Sequence, residues 1–165
     1  MKPIITQHKH IGMKILPASL TDVAELTGVE AQCYVDAWGA DGLLVGLQAE
    51  DTTVLVAVLC NQSGKRCGPV EGYLVYRESK NSNGHGAACI LCMGVLVDSR
   101  RRGIASRLLE AVPGMGIRGV YAEVIGKGAY RLFTKVGFQE IGCMSCGYLM
   151  QFPIVKGAPD EGEYY

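Results

Sequence analysis

The chain carries no net charge. Its 16 basic residues balance 16 acidic ones at a pI of about 6.8, so no global field recruits nucleic acid or an anionic membrane surface. It also has no long apolar run: the longest, Ile90 to Val97, is far too short to span a bilayer. The first ten residues are polar and offer no apolar signal segment. No internal repeat and no second composition regime appear. These absences point to a soluble, cytoplasmic protein with neither nucleic acid nor membrane as partner. The seven cysteines are an odd count, and Cys60, Cys89 and Cys92 sit in apolar stretches. They read as reduced, mostly buried thiols rather than an oxidised framework.

With 165 residues, 48% hydrophobic and 19% charged, the chain is the size of one domain and can bury a real core. The expected organisation is a flexible leader over 1–12, a folded domain over 13–152 and an acidic tail over 153–165. Strands are expected at Met13–Pro17, Thr53–Leu59, Val70–Arg77, Ala87–Val97 and Val120–Ile125, with one or two more in Ile141–Gln151. A turn at Asn61–Pro69 joins the second and third, and the loop at 81–86 follows. Ala87–Val97 is the most apolar strand and therefore central.

Helices are expected after a Ser19 cap, at Leu43–Gln48 beyond an interruption at Gly39–Gly42, at Gly103–Val112 and at Ala129–Val136. The whole reads as an α/β layer on a mixed sheet.

The informative segment runs from Met93 to Leu109. A buried strand enters a basic turn, Arg100-Arg101-Arg102-Gly103-Ile104-Ala105-Ser106, which opens directly into an amphipathic helix. The first amides of a helix lack internal partners and carry partial positive charge, so a phosphate is stabilised there. Gly103 and Ala105 keep the approach open, and the arginines add charge. Alone, the turn could be a solvated helix start with Gly103 serving only geometry. The strand before it and Leu108-Leu109 after it favour an anion site.

Val95-x-Val97-x-x-Arg100-x-x-Gly103-x-Ala105 resembles the acetyl-CoA motif of the GNAT acyltransferases. Ala129-Tyr130-Arg131-Leu132-Phe133-Thr134-Lys135-Val136-Gly137-Phe138 is similar to that family's second motif. The resemblance covers about residues 13–152, with the diagnostic residues in 93–138. It implies a mixed, largely antiparallel sheet flanked by helices in a single domain, using acetyl-CoA as cosubstrate without a metal. In that fold the strand at Met93-Gly94-Val95 splays from Val120–Ile125. The pantetheine arm pairs with the backbone of Met93 and Val95, and the diphosphate sits on the amides from Arg101 to Ser106. The expected partners are acetyl-CoA and an amine acceptor, with the protein a monomer or homodimer.

Acyl transfer to an amine needs a base, a positioned thioester and a proton for the thiolate. Glu123 is the one acid of its strand and the candidate base. It resembles the glutamate of bacterial N-terminal acetyltransferases that modify ribosomal proteins, or else it is a solvent-face residue. The family's usual tyrosine acid is replaced by Phe133, which leaves Tyr130, Tyr148, water or nothing for that role; both tyrosines could equally be packing aromatics. Gly126 stands where an asparagine often meets the pantetheine. The stretch Glu30 to Trp38 is similar to the acceptor-lining segment of the same N-terminal acetyltransferases, which makes Tyr34 and Trp38 candidate acceptor contacts or ordinary helix packing. Cys89/Cys92 and Cys143/Cys146 invite a zinc reading. Both pairs fall in expected strands, where residues three apart face opposite ways, and this argues against a metal. The expected function is N-acetyl transfer to a peptide N-terminus or a small-molecule amine. A non-catalytic CoA-binding module is the rival.

Overall fold

The computed structural model describes residues 12–80, 86–113, 117 and 119–153. The leader up to residue 11, the loop at 81–85 and the tail from 154 lie outside the described residues.

Seven strands form one sheet: β1 (Gly12–Pro17), β2 (Thr52–Cys60), β3 (Arg66–Lys80), β4 (Gly86–Val95), β5 (Gly119–Val124), β6 (Gln139–Cys143) and β7 (Tyr148–Phe152). Their spatial order is β1-β2-β3-β4-β5-β7-β6. Every pairing is antiparallel except β4 with β5. The apolar strand β4 is indeed central. Among the described residues four helices flank the sheet: α1 (Val23–Cys33), α2 (Gly39–Gln48), α3 (Ile104–Ala111) and α4 (Lys127–Val136).

Strand alternation sorts the core into two layers. Leu55, Ala57, Leu74, Tyr76, Ala88 and Ile90 face α3 and α4, where Ile104, Leu108, Leu109, Phe133 and Phe138 meet them. Val54, Val56, Val58, Tyr73 and Val75 face the other way, onto Leu26, Val29 and Leu43 of α1 and α2. No helix among the described residues is long and apolar enough to cross a membrane.

Several boundaries differ from the expectations, each for a local reason. The glycines at 39 and 42 do not interrupt a helix; α2 starts at Gly39. A Cβ on Gly42 would lie 2.8 Å from Trp38 Cβ, so glycine there makes room for the indole rather than breaking the chain. The turn after β2 is shorter than Asn61–Pro69, because Arg66 already pairs with Cys60. β4 ends at Val95, followed by one 3-10 turn at Val97–Ser99, and Gly103 caps α3 from outside. Cys146 lies in the turn between β6 and β7, not in a strand. The thiols are all unpaired but not mostly buried: Cys67, Cys89, Cys143 and Cys146 are exposed and only Cys60 is fully buried.

Candidate functional site

β4 and β5 pair only over Ala87–Ile90 with Gly119–Ala122. The separation has a cause in β4 itself. Opposite β3, Val75 faces Cys92 while Tyr76 faces Ile90, so Leu91 is an extra residue and β4 carries a bulge there. A bulge bends its strand and ends regular pairing. Beyond it, β4 follows β3 to Val95 and β5 follows β7 to Val124. The wedge between them opens into a cleft of about 870 Å³.

Met93, Gly94 and Val95 line one wall of this cleft, with Arg100, Arg101 and the start of α3 (Gly103, Ile104, Ala105, Ser106) beside them. Gly103 has φ +77°, and no side chain caps α3. The first amides of the helix therefore face the cleft with their partial positive charge unspent on the protein. A Cβ on Gly103 would meet nothing within 4 Å, so this approach is open space. Arg101 is also left-handed, at φ 61°, a conformation that costs a non-glycine residue about 1 kcal/mol.

The three arginines diverge. Arg100 donates through Nε to the Val95 carbonyl at 3.1 Å. Arg102 turns away from the cleft, its guanidinium 3.4 Å from Glu71 Oε1. Arg101 makes no ion pair among the described residues. The facing wall is one side of α4, formed by Gly128, Ala129, Leu132 and Lys135. Lys135 is a further cleft cation beside Arg100 and Arg101, and sequence reasoning missed it. Its seven-residue spacing from Gly128 was the available signal, because two helical turns return a residue to the same face.

Cys33 and Tyr34 close the cleft from the end of α1. The Tyr34 hydroxyl donates to the Met93 carbonyl at 2.5 Å and accepts from the Met93 N–H at 3.4 Å. Burial pushes the Tyr34 phenol up, and the Met93 N–H only partly offsets this. Glu30 organises this corner. Its side chain, 1% exposed, accepts the backbone N–H groups of Trp38 and Gly39, each at 3.0 Å. A carboxylate at the start of α2 satisfies orphan amides and complements the positive end of the helix dipole. Trp38 does not line the cleft; its ring rests on Gly42 and Gly46 of α2, and it is 41% exposed.

Glu123 is exposed on β5, opposite Leu149 of β7. Its neighbours Ala122 and Val124 face α3 and α4, so Glu123 points to the α1 side of the sheet. Cys89 stands near it: burial raises that thiol, Arg77 lowers it and Glu123 raises it further. Phe133 is buried in the core, edge-on to Phe138 with centroids 4.9 Å apart, and does not line the cleft. Tyr130 and Tyr148 lie against each other at 4.7 Å. The Tyr130 hydroxyl donates to Glu140 Oε2 at 3.0 Å, and that bond raises its pKa.

Burial pushes the Cys92 thiol up to about 12. Among the described residues no three His, Cys, Asp or Glu side chains gather to hold a metal.

No family model and no curated protein matches the chain by sequence. Solved structures match its shape. The GNAT domain of S. lividans PAT superposes with a TM-score of 0.66 at 17% identity, over 85% of this chain and 89% of that one. The ribosomal-protein-S18-alanine N-acetyltransferase from Escherichia coli gives 0.66 at 16% identity, over 93% and 100%. The paia N-acetyltransferase from Thermoplasma acidophilum, in complex with coenzyme A, gives 0.68 at 16%, over 85% and 98%. At such identities likeness speaks for architecture alone, and in architecture this chain has the GNAT fold.

Proposed function

We propose that the chain is an acetyl-CoA-dependent N-acetyltransferase that acts without a metal, passing the acetyl group directly to a primary amine. A peptide N-terminus is the first acceptor class and a small-molecule amine the second. The observation that carries this reading is the uncapped start of α3, flanked by Gly103 and Arg101 and continuous with the wedge at Met93 and Val95. A diphosphate suits the helix start, and an extended amide-bearing arm suits strand backbone left unpaired by β5. The neighbours in shape support it: one is a complex with coenzyme A, and another is named for acetylating a ribosomal protein.

In the reaction, the amine nitrogen attacks the thioester carbonyl, a C–N bond forms and the C–S bond breaks. Glu123 takes the amine proton, directly or through a water. The thiolate, with an ordinary thiol pKa of about 8–9, takes its proton from solvent. Lys135 joins Arg101 in holding phosphate. We place the enzyme in the cytoplasm, as a monomer or homodimer.

One observation favours a second reading, a CoA-binding module without turnover. Phe133 is core, and the nearest phenol on α4 is already bonded to Glu140. Calorimetry with acetyl-CoA, then thiol release measured across peptides, polyamines and aminoglycosides, separates the readings. Binding with turnover supports the enzyme, binding without any turnover supports the module, and no binding rejects both. Gly103→Glu should abolish acetyl-CoA binding in a folded protein, since it puts bulk and negative charge at the helix start. Gly103→Ala isolates the cost of the left-handed backbone and should lose far less; equal losses would remove the diphosphate from this turn.

A further inference from the structure

The backbone that β4 turns toward the wedge is not bare. Tyr34 holds both the N–H and the carbonyl of Met93. Two residues on, the Val95 carbonyl accepts Arg100 Nε at 3.1 Å and the Cys33 thiol at 3.6 Å. Tyr34 is the residue at which α1 stops, its own N–H still bonded to the Glu30 carbonyl at 3.0 Å. Four residues later the Glu30 carboxylate clamps Trp38 and Gly39. The phenol therefore hangs from a backbone pinned at both ends, and it moves by rotating about its own side-chain bonds. At 41% exposure it has solvent to rotate into.

An amide-bearing arm adding to β4 needs the same Met93 N–H and carbonyl that Tyr34 occupies. A backbone N–H makes one good hydrogen bond at a time, so the two compete. We infer that Tyr34 is a coupling residue between donor and acceptor subsites. The arriving arm displaces the hydroxyl from Met93, and the freed phenol turns out beside the exposed Val35 and Trp38, where we place the acceptor. The acceptor wall is then complete only once the donor is in place. This rests on the acetyl-CoA reading above.

The test compares wild type with Tyr34→Phe by calorimetry, using CoA and ADP as separate probes. ADP carries the diphosphate but no arm. Removing one competing neutral hydrogen bond should tighten CoA about threefold to tenfold and leave ADP unchanged, with the thermal midpoint checking the fold. In turnover, the variant's acceptor KM should rise while its donor affinity improves. Equal or weaker CoA binding by the variant overturns the inference, as does an equal gain for ADP. A fall in kcat with unchanged CoA affinity overturns it too, because the hydroxyl would then serve the chemistry. A wild type that binds neither probe rejects the acetyl-CoA reading itself, whereas one that binds CoA without the gain in Tyr34→Phe rejects only the coupling.

Discussion

Three consecutive arginines end in three places: on the Val95 carbonyl, in the cleft, and on Glu71. Charge alone therefore does not describe the turn. Only Arg101 has a left-handed backbone, no ion pair among the described residues and access to the cleft. Glu123 has a comparable individuality. It is the exposed acid at the end of a strand whose neighbours are buried. A base there acts on the acceptor, not on the phosphates, so Glu123→Gln should lower turnover at neutral pH about a hundredfold. Acetyl-CoA affinity by calorimetry should hold. Equal turnover in mutant and wild type would take Glu123 out of the mechanism. Phe133 shows the limit of a motif at this scale. Its position in the second motif was plain, yet its ring belongs to the core beside Phe138, and Leu132 is the residue that meets the cleft.

At the level of elements, α1 is fastened to β3 by charge as well as by packing. Arg66 pairs with Asp22 and, at 2.9 Å, with Glu25. Glu25 also accepts the Val70 N–H at 2.6 Å. Burial pushes the Asp22 carboxyl up, but the Ser19 N–H and Arg66 together outweigh it and hold it below its ordinary value of 3.8. The folded chain thus binds this proton less readily than the unfolded one. The stabilisation is complete above 3.8 and is lost as pH falls through the lower folded value. Denaturant midpoints taken from pH 6 down to about pH 2 should fall more steeply for wild type than for Asp22→Asn. Parallel curves would show that the staple contributes nothing. Element types were legible in the sequence because periodicity records which face is buried. Glycine was the residue that misled. At 39 and 42 it reads as a breaker, but Gly39 serves a left-handed backbone at φ +69° and Gly42 seats the Trp38 side chain. The bulge at Leu91 was equally silent, since it exists only relative to β3. The turn at Cys146 was hidden inside an apolar stretch, and the bulge sets Cys89 and Cys92 opposite Arg77 and Val75, on one face of β4, so the expectation that residues three apart face opposite ways holds for neither pair.

Across the whole molecule, the basic turn before α3 and α4 itself could be anticipated from residue types, because an open helix start needs glycine and small side chains wherever it occurs. The engagement of Met93 by Tyr34 could not, since it joins positions 59 apart in the chain. The same holds for the buried role of Glu30, which binds residues eight and nine further on. The sheet itself has a mechanical consequence. β1–β4 form one antiparallel leaf and β5, β7 and β6 another. The parallel pairing that hinges the leaves runs over only four residue pairs, Ala87–Ile90 with Gly119–Ala122. A ligand strand laid in the wedge would extend that hinge like stitching along a spine, so its binding should stiffen both leaves and not just the turn it touches. Amide hydrogen exchange would register this as slower exchange at Val120–Val124 and Tyr148–Phe152 when CoA binds, well away from the phosphates. Protection confined to the residues around Gly103 would mean that the leaves already move as one.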